Sequence, residues 1–181
     1  TVVVTGVGCH QHWAARHLPY DPTLHAHMTS GGHGTMGYDL PSSIGVAMAC
    51  PEKTVLCVVG DGSLLMNIQE LASLCDRQLN VKILVLNNSR LGIVSQFQLI
   101  TWGDDPTTGD FVSPNFSAIA QGFGISSARV DLMDNLREQV DWFWRKTDPV
   151  LLEVMIDPDS DVTPMLLAGQ NMGKMWKGRG L

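Results

Sequence analysis

The sequence predicts an α/β protein: a doubly wound, mostly parallel sheet with helices on both faces. Two observations lead there. The apolar runs TVLCVVG (54–60), VKILVL (81–86) and PVLLEVMI (149–156) are too short for helices and apolar without alternation, as strands covered on both faces are. Segments of helical period separate them, and strand alternating with helix is the pattern of a parallel sheet with crossover connections. A third observation concerns use. Asp61 stands between two glycines just after the first of these runs, and Asn87 and Asn88 follow the second.

Taken in order, VVVTG within Thr1–Gly6 reads as a short buried strand, and His10–His17 as a helix stopped by Pro19. Residues 20–33, rich in Gly, His, Pro and Ser, read as loop with room for one short strand. A helix follows, with Pro41 in its first turn and small residues through Ala49. After the 54–60 strand, Leu64–Arg77 has the apolar spacing of one amphipathic helix. After the 81–86 strand, no element is assigned before the long polar loop 101–114, in which Asp104, Asp105 and Asp110 read as solvated. Asn115–Gly122 reads as a helix, Ala128–Val130 as part of a strand, Asp134–Lys146 as a helix, 149–156 as the last strand and 157–181 as a tail.

The 181 residues, 44% apolar and 17% charged, suit one globular domain spanning 1–181. Twelve basic against 18 acidic residues give a net charge of −6, which argues against nucleic acid or an anionic membrane as partner. No apolar run approaches the roughly 20 residues of a membrane span. Cys9, Cys50, Cys57 and Cys75 lack metal-like spacing and read as reduced thiols of a cytoplasmic protein. The first residue is not Met, so the chain reads as part of something longer. The six histidines follow no ligand template.

In an open parallel sheet, ligands bind beyond the carboxyl ends of the strands. A right-handed crossover through the 64–77 helix would set the 54–60 and 81–86 strands side by side or nearly so. Asp61 and Asn88 would then share one edge. One carboxylate and one neutral oxygen suit a hard cation such as Mg²⁺, which fills its remaining positions with water and phosphate. Ser63 reads as an N-cap whose helix would offer free N–H groups to that phosphate. The residues alone therefore point to a metal-bound diphosphate or similar anion.

GDG at 60–62, 24 residues at 63–86, then NN is similar to the signature of thiamine-diphosphate enzymes. Five blocks, VGCHQHWAA, TSGGHGTMGYDLPSSIG, GDGSLLMNIQEL, NNSRLGIVSQF and VTPMLLAG, resemble in order the C-terminal pyrophosphate-binding domain of acetolactate (acetohydroxyacid) synthases. The resemblance implies thiamine diphosphate and Mg²⁺ as cofactors and leaves FAD open in the complete enzyme. It assigns the metal to Asp61, the Asn88 side-chain oxygen and the Arg90 carbonyl. It assigns cofactor contacts to Gly8, His10, Gly34, Thr35, Met36, Gly60, Gly62, Ser63, Asn88, Gly92 and Ile93. Met36 would prop the cofactor in its bent form, and Phe97 would face the acceptor pocket. Cys9, Ile93 and Phe97 stand where the family more often has Gln, Met and Trp.

The activity implied is decarboxylation of a 2-oxo acid, pyruvate by expectation, with transfer of the remaining carbon unit to a second carbonyl. Family members also use a glutamate on a separate pyrimidine-binding domain, of the same or a partner subunit. No second unit of that kind fits in this chain, and Glu70 and Glu153 do not qualify. No catalytic residue is therefore assigned, and the chain is expected to be inactive alone, as the C-terminal part of a homodimeric or homotetrameric enzyme. The rival readings are a 2-oxo acid decarboxylase, including two-subunit forms, and a cofactor-binding module without turnover.

Overall fold

Runs of β-branched and aliphatic residues pair into one six-stranded, all-parallel sheet in the order β2-β1-β3-β4-β6-β5. The strands are β1 (Val2–Thr5), β2 (Ala26–Thr29), β3 (Val55–Gly60), β4 (Val81–Asn87), β5 (Ser126–Val130) and β6 (Val150–Met155). The structure is a computed structural model and describes residues 1–19, 21, 26–103, 109–131 and 135–179. His25, Asp104, Asp105 and Asp134 lie outside the described residues. No described helix is long and apolar enough to cross a membrane.

The helices are α1 (Cys9–His17), α2 (Asp39–Ala49), α3 (Asp61–Met66), α4 (Leu71–Arg77), α5 (Gly92–Trp102), α6 (Phe116–Gly122) and α7 (Leu136–Arg145). One face of the sheet sends Val4, Val55, Cys57, Ile83 and Leu151 into a core with Leu40 and Ile44 of α2, Leu64 of α3, Leu71 and Leu74 of α4, and Phe116 of α6. The other sends Leu56, Val58, Val150 and Leu152 against Ala14 of α1 and Phe143 of α7. Both faces are covered, which is why the central strands carry no polar alternation.

Three expectations change. The single helix over Leu64–Arg77 is broken into α3, a 3₁₀ turn at Ile68–Glu70 and α4. Asn67, at φ −138°, causes the break: its side-chain amide donates to the Gly37 carbonyl at 2.7 Å and leaves helical geometry. Ser63 is no N-cap. The helix begins three residues earlier, with Gly60 at the capping position, so Ser63 lies within it. Residues 92–102 form a helix where none was assigned. GIVSQFQLITW has no charge to mark a solvent face, and the helix ends at Gly103, in the left-handed region at φ 72°.

The closing segment folds back onto the molecule. Val162 and Met165 are buried with Cys9 and pack against Trp13, Ile93 and Ile100. Gln96 of α5 clamps Val162 from both sides: its oxygen accepts from the Val162 amide at 2.8 Å and its nitrogen donates to the Val162 carbonyl at 3.0 Å.

Chain direction across the sheet reverses between β1 and β3. The connection after β1 leads outward to β2, whereas that after β3 leads to β4 on the other side. Loops leaving two neighbouring strands in opposite directions open a crevice between them, at their carboxyl ends.

Candidate functional site

An open cleft lies at that switch point. The segment after β1 supplies Gly8, Cys9 and His10, and the end of β3 supplies Gly60, Asp61, Gly62 and Ser63. Asn88, Arg90, Gly92 and Ile93 follow β4, and Met36 reaches in from the turn before α2. Gly60 pairs with Leu86 in the β3–β4 register. Asp61 and Asn88 thus leave the same edge of strands that lie about 4.8 Å apart.

Asp61 is 3% exposed, and its Oδ1 accepts from the Gly62 amide at 2.9 Å. Its Oδ2 is buried and has no protein partner. Burial lifts its carboxyl to about pH 6, against the opposing pull of the Gly62, Ser89 and Arg90 backbone amides. A buried oxygen left without a donor costs stability unless something else meets it.

The segment after β4 turns sharply. Asn88 Oδ1 accepts from the Arg90 amide at 3.3 Å, and the Arg90 carbonyl accepts from the Gly92 amide at 2.9 Å. Each oxygen retains a second lone pair. One layer out, Asn87 donates to Glu153 Oε1 at 2.7 Å and accepts from the Ser89 amide at 3.1 Å. The Arg90 guanidinium pairs with Asp110 and with Asp159, the latter at 2.9 Å. Asp110 is therefore not merely solvated. Backbone bonds from Leu91 to Gly109 at 2.7 Å and from Phe111 to Ser89 at 3.1 Å stitch its segment to the turn.

Close backbone approach explains the glycines. A Cβ on Gly92 would lie 3.0 Å from Asn88 Nδ2 and 3.1 Å from Cys9 Sγ. Gly8, at φ 149°, occupies a conformation that other residues rarely adopt. Met36 Cε would lie 3.5 Å from a Cβ on Gly62, so this side chain borders the cleft beside the Asp61 turn.

Three of the sequence candidates do not line this cleft. Gly34 and Thr35 are exposed in the turn before α2, where the Thr35 amide is held by Ser30 Oγ at 3.1 Å. Phe97 is 48% exposed on α5. Sequence reasoning missed Asp39, a buried carboxylate that His10 Nε2 contacts at 3.0 Å. Its signal was an acid in the first turn of an otherwise small and apolar helix. Among the described residues no three His, Cys, Asp or Glu side chains cluster to hold a metal. A cation at Asp61 would need amide, carbonyl, phosphate or water oxygens, as Mg²⁺ commonly does.

Residues 6–154 match the family model described as thiamine pyrophosphate enzyme, C-terminal TPP binding domain. The chain is 38% identical over 177 residues to the acetolactate synthase isozyme 2 large subunit of Escherichia coli, covering 96% of this chain and 32% of that protein. It is 39% identical over 171 residues to the mitochondrial acetolactate synthase catalytic subunit of Saccharomyces cerevisiae, covering 94% and 25%. It is 41% identical over 175 residues to a probable chloroplastic acetolactate synthase 2 of Oryza sativa, covering 91% and 26%. The chain spans about a third or less of the length of these curated relatives.

Proposed function

The chain belongs to the thiamine pyrophosphate enzyme family, as its C-terminal TPP-binding domain, and from that premise we propose that it holds the diphosphate and Mg²⁺ of an acetolactate synthase-type carboligase. One observation carries the reading. Asp61 Oδ2 is buried without a partner in a cleft shared with Asn88 and Arg90. A divalent cation would satisfy such an oxygen, and Mg²⁺ commonly takes phosphate oxygens among its other ligands.

In this reading Asp61, Asn88 Oδ1 and the Arg90 carbonyl hold the cation, while Gly60, Gly62 and Gly92 keep the cleft open to a bulky anion. When bound, thiamine diphosphate supplies the nucleophilic carbon and the electron sink for decarboxylating a 2-oxo acid. Met36 shapes the cleft beside the Asp61 turn, and Ile93 lines it beside Cys9.

None of the four glutamates, Glu52, Glu70, Glu138 and Glu153, lines the cleft. Glu153 is fully buried among Asn87, Ser117 and Arg129. A carboxylate for the pyrimidine ring must therefore come from a pyrimidine-binding domain outside this chain, in the same subunit or in a partner within a homodimer or homotetramer. Any flavin of the complete enzyme would contact those other parts. Four free thiols fit the reducing cytoplasm.

The test is product analysis of the full-length protein supplied with pyruvate, thiamine diphosphate and Mg²⁺. Acetolactate is expected. Acetaldehyde as sole product would make the protein a decarboxylase, and bound cofactor without turnover would make it a binding module.

A further inference from the structure

Asp39 opens α2 and is 1% exposed. A carboxylate buried so deeply needs donors, and it draws them from three separate segments. Its Oδ1 accepts from the Gly6 amide at the end of β1 and from His10 Nε2 in α1, and its Oδ2 accepts from Ser63 Oγ in α3. Ser63 Oγ in turn accepts from the Gly37 amide at 2.8 Å. One side chain thus ties together the loops that form the β1–β3 side of the cleft.

The consequence for His10 is specific. With Nε2 turned to Asp39, the opposite edge of the ring lies against the glycines of the cleft. A Cβ on Gly8 would sit 2.8 Å from Nδ1, and one on Gly60 would sit 2.9 Å from it. Charged or ionisable side chains on the lining are His10, Asp61 and Arg90, with Cys9 a buried thiol held far above neutrality, at about 12. Arg90 is committed to Asp110 and Asp159. Of the ionisable side chains on the lining among the described residues, His10 is therefore the one that can aim a ring N–H at an anion. A carboxylate behind an imidazole fixes ring orientation and raises donor strength, as it does behind metal-bound histidines.

Asp39 also dictates its neighbour. A Cβ on Gly6 would overlap the carboxylate, 2.6 Å from Cγ and 2.7 Å from Oδ1. Residue 6 can be glycine only, as long as residue 39 is aspartate.

We propose that Asp39 is a positioning residue for the diphosphate, holding His10 with its Nδ1 edge toward the cleft, and that Gly6 is its steric companion. The inference rests on the reading that this cleft takes the diphosphate of thiamine diphosphate. Its test uses the full-length protein with Mg²⁺ and calorimetric titration of thiamine diphosphate, inorganic pyrophosphate and diphosphate-free thiamine.

Asp39→Asn is expected to weaken both phosphate-bearing probes by about tenfold or more and to leave thiamine unchanged. Gly6→Ala should lower the melting temperature by steric overlap. Adding Asp39→Gly should restore the melting temperature, yet pyrophosphate affinity should stay about tenfold below wild type, since His10 has lost its anchor. That double variant also answers the question if Asp39→Asn does not fold. A double variant that binds pyrophosphate as wild type does overturns the inference, as does a folded Asp39→Asn with unchanged pyrophosphate affinity. If the wild type itself takes up neither phosphate-bearing probe, the functional reading fails instead.

Discussion

Asp61, just after β3, and Glu153, within β6, are both buried carboxylates, and they do opposite things. Glu153 is wholly enclosed, and each of its oxygens has a protein donor. Asn87 Nδ2 meets Oε1 at 2.7 Å, the Ser117 amide meets Oε2 at 3.1 Å, and Arg129 stands 3.5 Å from Oε1. Asp61 is nearly as buried, yet no protein donor lies within hydrogen-bond distance of its Oδ2. Burial alone would mark both as functional. Partner satisfaction separates them: the acid whose donors are all protein groups is architecture, and the acid with an oxygen to spare faces a ligand. Asn87 and Asn88 divide in the same way. Asn87 bonds to Glu153, whereas Asn88 lines the cleft.

The largest effect should come from removing the spare oxygen. Asp61→Ala is expected to weaken Mg²⁺-dependent binding of thiamine diphosphate to the full-length protein by more than about 100-fold, since among the described residues it removes the only carboxylate on the cleft lining. The same variant should leave the melting temperature of the cofactor-free protein unchanged or raised, because an unpaired buried carboxylate costs stability. Calorimetry and a thermal melt read the two. Retained affinity would break the comparison from the ligand side, and a large drop in melting temperature would break it from the structural side.

Glu153→Gln should invert that pattern. It replaces a satisfied carboxylate with an amide whose nitrogen must face Asn87 Nδ2 or the Ser117 amide, donor against donor. The expected cost is about 2–4 kcal/mol, on the order of 5–10 °C in the melt of the cofactor-free protein. Cofactor affinity in the part that remains folded should fall by less than about tenfold, since Asp61 and Asn88 are untouched and only the support behind Asn87 is lost. An unshifted melt with lost cofactor binding would move Glu153 from architecture to the site.

The division between the two acids was half legible in the sequence. The alternation of apolar runs and helical periods predicted the sheet. The GDG and NN spacing predicted that Asp61 and Asn88 meet at one edge, because parallel neighbours in register leave little freedom there. What stayed hidden depends on contacts between distant segments. Asp39 bonds to Gly6 and Ser63, separated from it by 33 and 24 positions, and its one local trace, an acid in the first turn of α2, does not say what it bonds to. Arg90 was read for its carbonyl, yet its side chain pairs with Asp110, in a loop taken as solvated. Helix α5 escaped because its β-branched and aromatic residues lack the polar face that gives a surface helix its period. The break at Asn67 could not be read from residues 64–77 alone, since the carbonyl that captures its side chain belongs to Gly37.

The smallest effect, a pH dependence, sharpens the comparison most, because it reads the state of the Asp61 carboxyl without a ligand. Burial raises that carboxyl to about 6 in the folded protein, above the roughly 3.9 of an exposed aspartate. The folded state therefore binds a proton between pH 6 and about 4 where the unfolded state does not. Stability from this group is fully present below the unfolded value and is lost as pH rises through about 6, at about 1.4 kcal/mol per pH unit within the window. Most paired carboxylates have the opposite sign. The measurement is the difference in melting temperature between the cofactor-free wild type and Asp61→Asn, taken from pH 7 down to 4.5. On acidification the wild type should gain relative to the variant, because the neutral amide has no proton to take up. Cofactor-free protein is required, since a phosphate ionises near pH 6 as well. A difference that stays flat across the window would mean that Asp61 already has its donors, and the contrast with Glu153 would vanish.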